Sequence, residues 1–131
     1  MAHLERIIHD TGVVPAVNQV ELHPYFQQVE LRAFHDENAI VTTSWSPLGR
    51  GGDLDDPAIA RIAQKHGKSP AQVILRWHVE NGLTVIPKSS SRARQAENLD
   101  IFDFSLDAND MHAIAELDRR DGRIGPDPDV L

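Results

Sequence analysis

Apolar positions in this chain switch between a helical and a strand-like period, and the switch repeats three times. Leu4, Ile7 and Ile8 share one face of a helix predicted over residues 4–10, with Gly12 as its stop. Residues 14–22 (VPAVNQVEL) read as a strand that ends at His23-Pro24. A helix follows over residues 27–38, where Val29, Leu31 and Phe34 stand among polar residues. The β-branched run 39–45 (AIVTTSW) is the next strand. Residues 46–57 hold Gly49, Gly51, Gly52 and several aspartates, so an exposed and mobile loop is expected.

Two helices come next. The first covers residues 58–66 and stops at Gly67. The second has a clear start, because Ser69 suits an N-cap, Pro70 the first helical position and Gln72 the third. It carries Val73, Ile74, Trp77 and His78, and it stops at Gly82. Residues 83–86 form the third strand, residues 91–99 a short helix, and Ser105 opens the last helix, with Leu106, Met111, Ile114 and Leu117 as its apolar face. Residues 121–131 are expected to be loop. Strands separated by enough chain for a crossover helix imply a parallel sheet of the α/β class. A sheet of only three parallel strands leaves edges and a face without cover, so the pattern reads as part of a closed barrel.

Charge narrows the function classes. Twenty acidic residues stand against 13 basic ones, a formal net charge of −7, which disfavours general binding to nucleic acid or an anionic membrane. No apolar run approaches the roughly 18 residues of a membrane span, and no signal peptide is expected ahead of Leu4. Cysteine is absent, which removes disulfide and thiolate chemistry and is compatible with a cytoplasmic location. Lys88, Arg92 and Arg94 stand out against this acidic background. They follow the third strand, beside Ser89 and at the start of a helix, where unpaired N–H groups and the positive dipole end favour an anion such as phosphate. A solvated basic cap on a surface helix is the plainer alternative.

Four segments resemble the aldo-keto reductases, in particular the bacterial diketogluconate-reductase-like branch. They are residues 17–25 (VNQVELHPY), residues 45–51 (WSPLGRG), residues 66–78 (HGKSPAQVILRWH), and Ile86-Pro87-Lys88-Ser89 with Arg94, Glu97, Asn98 and Leu99, running on into Phe102-Asp103-Phe104. The resemblance implies the C-terminal part of a (β/α)8 TIM barrel, about three βα units plus a terminal helix, with residues 1–131 supplying strands six to eight. It implies reduction of aldehydes and ketones with NADPH, and a small carbonyl compound as substrate. By position, Gln19 is expected at the nicotinamide carboxamide, Trp45 stacked on the nicotinamide ring, and Ser46, Leu48 and Arg50 along the pyrophosphate. Lys88, Ser89 and Arg94 are expected on the 2′-phosphate, with Glu97 and Asn98 on the adenine. The family's catalytic aspartate, tyrosine, lysine and histidine belong to the first half of its barrel and have no counterpart here. No catalytic residue is therefore expected in this chain, and activity is not expected from it alone.

Several residues keep two readings. Trp77, on a helix with Val73 and Ile74, reads as core; Trp45 reads as core or as a flat face for a cofactor ring, and the resemblance favours the second. His23 and Tyr25 suggest a proton-donor pair or, more simply, a turn that packs the end of a strand. The seven histidines are scattered and show no i, i+4 pair, so no metal site is expected. Asp53, Asp55 and Asp56 are expected to repel phosphate from the glycine-rich loop, and Asp107, Glu116 and Asp118 to be solvated surface. Besides part of an enzyme, a non-catalytic nucleotide-binding module that self-associates through unpaired sheet edges fits the same pattern.

Overall fold

A computed structural model describes residues 1–130. Leu131, the last residue of the expected C-terminal loop, lies outside the described residues. The order is α1 (Ala2–Thr11), β1 (Val17–Glu21), α2 (Val29–Glu37), β2 (Val41–Trp45), a 3-10 segment (Gly49–Asp55), α3 (Pro57–His66), α4 (Pro70–Glu80), β3 (Thr84–Val85), α5 (Arg92–Leu99), α6 (Ala108–Ala115) and a 3-10 turn (Pro128–Val130). The strands form one parallel sheet in the order β1-β2-β3. Among the described residues, no helix is long and apolar enough to cross a membrane.

Register decides which residues share a face. Val17, Gln19 and Glu21 pair with Val41, Thr43 and Trp45, and Thr43 pairs with Thr84. Side chains alternate along a strand, so these seven lie on one face, while Asn18, Val20, Thr42, Ser44 and Val85 lie on the other. The second face meets the helices. There His35 of α2 takes a hydrogen bond from Asn18 Nδ2 at its Nε2 (3.0 Å) and donates from Nδ1 to Thr42 Oγ1 (2.8 Å). Burial holds the His35 pKa below its ordinary value, which suits this neutral form. Behind it, Leu22, Ile59, Ile74, Trp77 and Ile114 pack into the core, with Trp77 only 2% exposed.

The first face is open. Val17 is 53% exposed, Val41 47% and Ile86, just past β3, 57%. Parallel sheets are ordinarily covered on both faces, so this surface lacks the partner that its composition calls for.

Helix ends are fixed by the local chemistry that the sequence suggests. Ser69 and Gln72 form a reciprocal capping box with Pro70 in the first turn, and Gly67 ends α3 in the left-handed region. Two expectations change. The segment 46–57 is not fully exposed: Gly49–Asp55 forms 3-10 turns broken by a kink at Arg50 and Gly51, Asp53 is buried, and Asp56 caps α3 through the N–H groups of Ala58 and Ile59. The last helix starts at Ala108 because Asp107 caps it, boxed with Asp110 and bridged by Lys65. Asp118 is exposed as expected and also accepts a hydrogen bond from the backbone N–H of Gln27 (2.8 Å).

One-sided burial generates a contrast in stability. Ile74→Ala should cost about 2–5 kcal/mol by removing a fully buried side chain, whereas Val17→Thr on the open face should stay within about 0.5 kcal/mol. Chemical denaturation of both variants checks this. Equal losses, measured at a concentration where the chain is monomeric, would mean that Val17 is packed within the single chain.

Candidate functional site

The residues singled out from sequence gather at the C-terminal ends of the three strands. On β1, Gln19 is exposed, and its side-chain amide has no hydrogen-bond partner among the described residues. Trp45 closes β2 directly beside Glu21 and is half-buried. Gln19, Glu21 and Trp45 line a cavity of about 880 Å3 that wraps the free edge of β1, together with Phe26, Arg119 and Arg123. The backbone of Gly125 comes down on the edge of the Trp45 ring. A Cβ at that position would stand 2.5 Å from Trp45 Cη2 and 2.9 Å from Glu21 Oε2.

Beyond Trp45 the chain takes a costly path. Ser46 (φ 50) and Arg50 (φ 53) both adopt the left-handed region that non-glycine residues avoid. Two such residues close together, each costing on the order of 1 kcal/mol, need support from the surrounding structure and are a frequent mark of binding segments. Leu48 is half-buried against the core, and Arg50 is exposed.

At the end of β3, Ser91 caps α5 by accepting from the N–H of Arg94, and Ser89 Oγ accepts from the N–H of Ser91. Lys88 and Arg94 are exposed. Lys65 and Lys68 each hold two carboxylates, but Lys88, Arg92 and Arg94 take part in none of the ion pairs among the described residues. Glu97 is partly committed, since Oε1 accepts from Ser69 Oγ and its carbonyl accepts from Gln72 Nε2. Asn98 is half-buried near the end of α5. The structure thus brings Gln19 and Trp45 into one cavity. Ser46, Leu48 and Arg50, and the group from Lys88 to Asn98, lie at the neighbouring strand ends and do not line it. No cluster of histidine and carboxylate side chains among the described residues could hold a metal ion.

His23 and Tyr25 are held by carboxylates. His23 is 1% exposed and lies between Asp53 (Nδ1–Oδ2, 3.0 Å) and Glu21 (Nε2–Oε1, 3.2 Å). Burial pulls its pKa down, yet the hydrogen bonds and charges of Asp53 and Glu21 outweigh burial and leave it raised. Tyr25 Oη donates to Asp56 Oδ2 (2.7 Å), and burial with the Asp56 contact pushes its pKa up to about 12. Burial would raise the Asp56 pKa, but the Tyr25 hydroxyl and the N–H groups of Ala58 and Ile59 bring it below its ordinary value.

Sequence reasoning overlooked Glu21 and misread Asp53. Glu21 carried a usable signal, since two-residue alternation puts it on the face of Gln19 at the same strand end. It is 2% exposed, and it accepts hydrogen bonds from the N–H groups of Ile124 and Gly125. Asp53 carried none, because only the folded path of residues 49–55 turns it inward.

The Aldo/keto reductase family model matches residues 1–119. The chain belongs to the aldo/keto reductase family. It is 50% identical over 129 residues to methylglyoxal reductase DkgA of Escherichia coli K12, covering 97% of this chain and 46% of that protein. To 2,5-diketo-D-gluconic acid reductase B of a Corynebacterium species it is 53% identical, covering 97% and 46%. Among solved structures, a Gox0644 variant in complex with NADPH superposes with a TM-score of 0.97 at 59% identity, covering 99% of this chain and 48% of that one. Gox0644 in its apo form gives 0.95 at 61% identity, covering 97% and 47%. This aldo/keto reductase chain therefore spans about half the length of the relatives it matches, and its three parallel strands with their helices overlay about half of those structures.

The pKa shifts set a pH window. The raised His23 pKa contributes stability that is complete below the ordinary 6.5 and is lost as pH rises through the raised value. The lowered Asp56 pKa contributes stability present above the ordinary 3.8 and lost as pH falls through the depressed value. Thermal melts across pH should fall on both sides, and His23→Asn should flatten the alkaline limb alone. An alkaline limb identical in His23→Asn would contradict this assignment.

Proposed function

We propose that this chain is the cofactor-binding part of an NADPH-dependent reductase that converts small aldehydes and ketones to alcohols. The observation that carries the reading is the set of exposed cations at the start of α5. Lys88, Arg92 and Arg94 stand together without a carboxylate partner among the described residues, in a protein of net charge −7, whereas Lys65 and Lys68 are each paired with two carboxylates. A lysine and a guanidinium beside a helix N-terminus suit the extra phosphate that distinguishes NADPH from NADH. Ser89 adds a hydroxyl at the same place. Gln19 offers a free amide for the nicotinamide carboxamide, and Trp45 a half-exposed indole face for its ring. Ser46, Leu48 and Arg50 would follow the pyrophosphate, and Glu97 and Asn98 the adenine, with Glu97 sharing its carboxylate with Ser69.

When bound, NADPH supplies a hydride to the carbonyl carbon. What these residues do is bind, orient and keep water from the cofactor. We assign no proton donor among them. Tyr25 is the only tyrosine, its hydroxyl is engaged by Asp56, and its pKa of about 12 is far from the range in which a general acid works well. The activity of the whole reductase then needs the remaining part of the barrel. Residues 1–131 fit strands six to eight of that barrel, and a cytoplasmic location fits the lack of cysteine. The carbonyl compounds named for the Escherichia coli and Corynebacterium relatives indicate the class of substrate. The open face of the sheet favours a second reading, a nucleotide-binding module that associates with itself and does no chemistry. Turnover restored by adding a complementary half-barrel chain from a relative separates the two.

A fluorescence titration with NADPH and NADH tests the cradle directly. Hydrogen bonds to charged groups contribute about 1.5–3 kcal/mol each, so NADPH should bind roughly a hundredfold more tightly, at 1.4 kcal/mol per tenfold. Arg94→Ala should weaken NADPH by roughly tenfold or more and leave NADH unchanged. Equal affinity for the two nucleotides, or indifference to Arg94→Ala, would sink the phosphate assignment.

A further inference from the structure

We infer that Glu21, His23 and Asp53 form one buried positioning device, which couples the C-terminal strap to the Gly49–Asp55 turn on either side of Trp45. All three side chains are at most 1% exposed. Each ring nitrogen of His23 faces a carboxylate oxygen, Nε2 facing Glu21 and Nδ1 facing Asp53. An ionised carboxylate only accepts, so both nitrogens must donate. A neutral imidazole would leave a lone pair against an oxygen in a dry site. The cluster therefore holds one proton beyond the neutral ring, shared along Glu21–His23–Asp53. From α4 the other titratable neighbour is His78, which burial keeps uncharged with a pKa of about 4.

Each carboxylate also grips a different segment. Glu21 takes the N–H of Ile124 and, at 2.8 Å, the N–H of Gly125, which seats the strap on the edge of the Trp45 ring. Asp53 takes the N–H of Tyr25 (3.2 Å) and packs beneath Gly49 so closely that a Cβ there would lie 1.9 Å from Oδ1. Gly49, at φ 56, is the residue that allows this contact. Strap and turn are far apart in sequence; the imidazole joins Glu21 to Asp53 directly, and Tyr25 adds a second link, its carbonyl accepting from the Arg119 N–H (3.0 Å) while its own N–H donates to Asp53. If the proton is removed, or either carboxylate is neutralised, the ring no longer bridges two ionised carboxylates, so both segments loosen together.

The positioning role toward Trp45 and Arg50 rests on the cofactor reading above, but the coupling does not, and its test uses no nucleotide. Amide hydrogen exchange of the 131-residue chain reads Ile124 and Gly125 in the strap, and Gly49 and Gly51 in the turn, whose N–H groups bond Ser46 and Leu48. Glu21→Gln should accelerate exchange roughly tenfold or more in both segments, with the α4 amides unchanged, and Asp53→Asn should do the same from the other end. Acceleration confined to the segment that each variant touches would overturn the coupling. If the variants fail to fold, the wild-type chain still decides. Its His23 nitrogens should both carry protons at neutral pH, and exchange, corrected for base catalysis, should rise at strap and turn with the same midpoint as His23 deprotonates. A singly protonated His23 at neutral pH, or separate midpoints, would overturn it. Coupled exchange without any NADPH binding would keep this inference and remove the cofactor reading; NADPH binding with uncoupled exchange would do the reverse.

Discussion

A parallel sheet covered on one face is the constraint on which the rest of this structure depends. Helices α2, α3 and α4 and their core seal the side carrying Thr42 and Ser44, while Val17, Val41 and Ile86 face outward on the other. The crossover connections fix the strand direction, so all three strand ends open at the same rim. That rim receives Gln19 and Trp45 from two strands and the cations after the third. The same geometry that leaves the sheet short of a partner thus leaves its amide, indole and cations accessible.

The two sides are held by different physics. On the covered side, apolar burial is reinforced by helix caps, by ion pairs between elements, such as Lys65 with Asp110 and Lys68 with Asp100 and Asp103, and by the hydrogen bond between His66 and Asp110. On the open side there is little apolar packing, and polar contacts take its place. The C-terminal strap is held by Arg119 over the Tyr25 ring, Arg123 over the Phe26 ring, and the buried Glu21 carboxylate. Such polar arrangements stabilise a site only when every member is satisfied, which is why one histidine between two carboxylates matters so much there.

Much of the fold was legible in the sequence because its signals are local. The capping box at Ser69 and Gln72, the stop at Gly67 and the alternation of strand and helix depend on neighbours within a few residues. The placement of Trp77 in the core followed from helical spacing alone. What could not be read depends on distant partners. The aspartates of residues 53–56 look like exposed loop residues, yet Asp53 is buried because His23 and the N–H of Tyr25 reach it from β1's end. Asp107 and Asp118 are exposed as expected, but their partners, Lys65 and the N–H of Gln27, lie too far off in sequence to be read from it. For the candidate site, motif order gave the residues, and the structure added the strained backbone at Ser46 and Arg50, the tie between Glu97 and Ser69, and the role of Glu21.

The one-sided sheet makes a demand that can be measured without any ligand. Sedimentation velocity of the purified chain over a wide concentration range tests whether the open face seeks a partner. Concentration-dependent association, reduced by placing a charge at Val41 or Ile86, is the result this account predicts. A monodisperse monomer with a sharp, cooperative melt would contradict it, because a sheet exposed on one face would then be sufficient by itself.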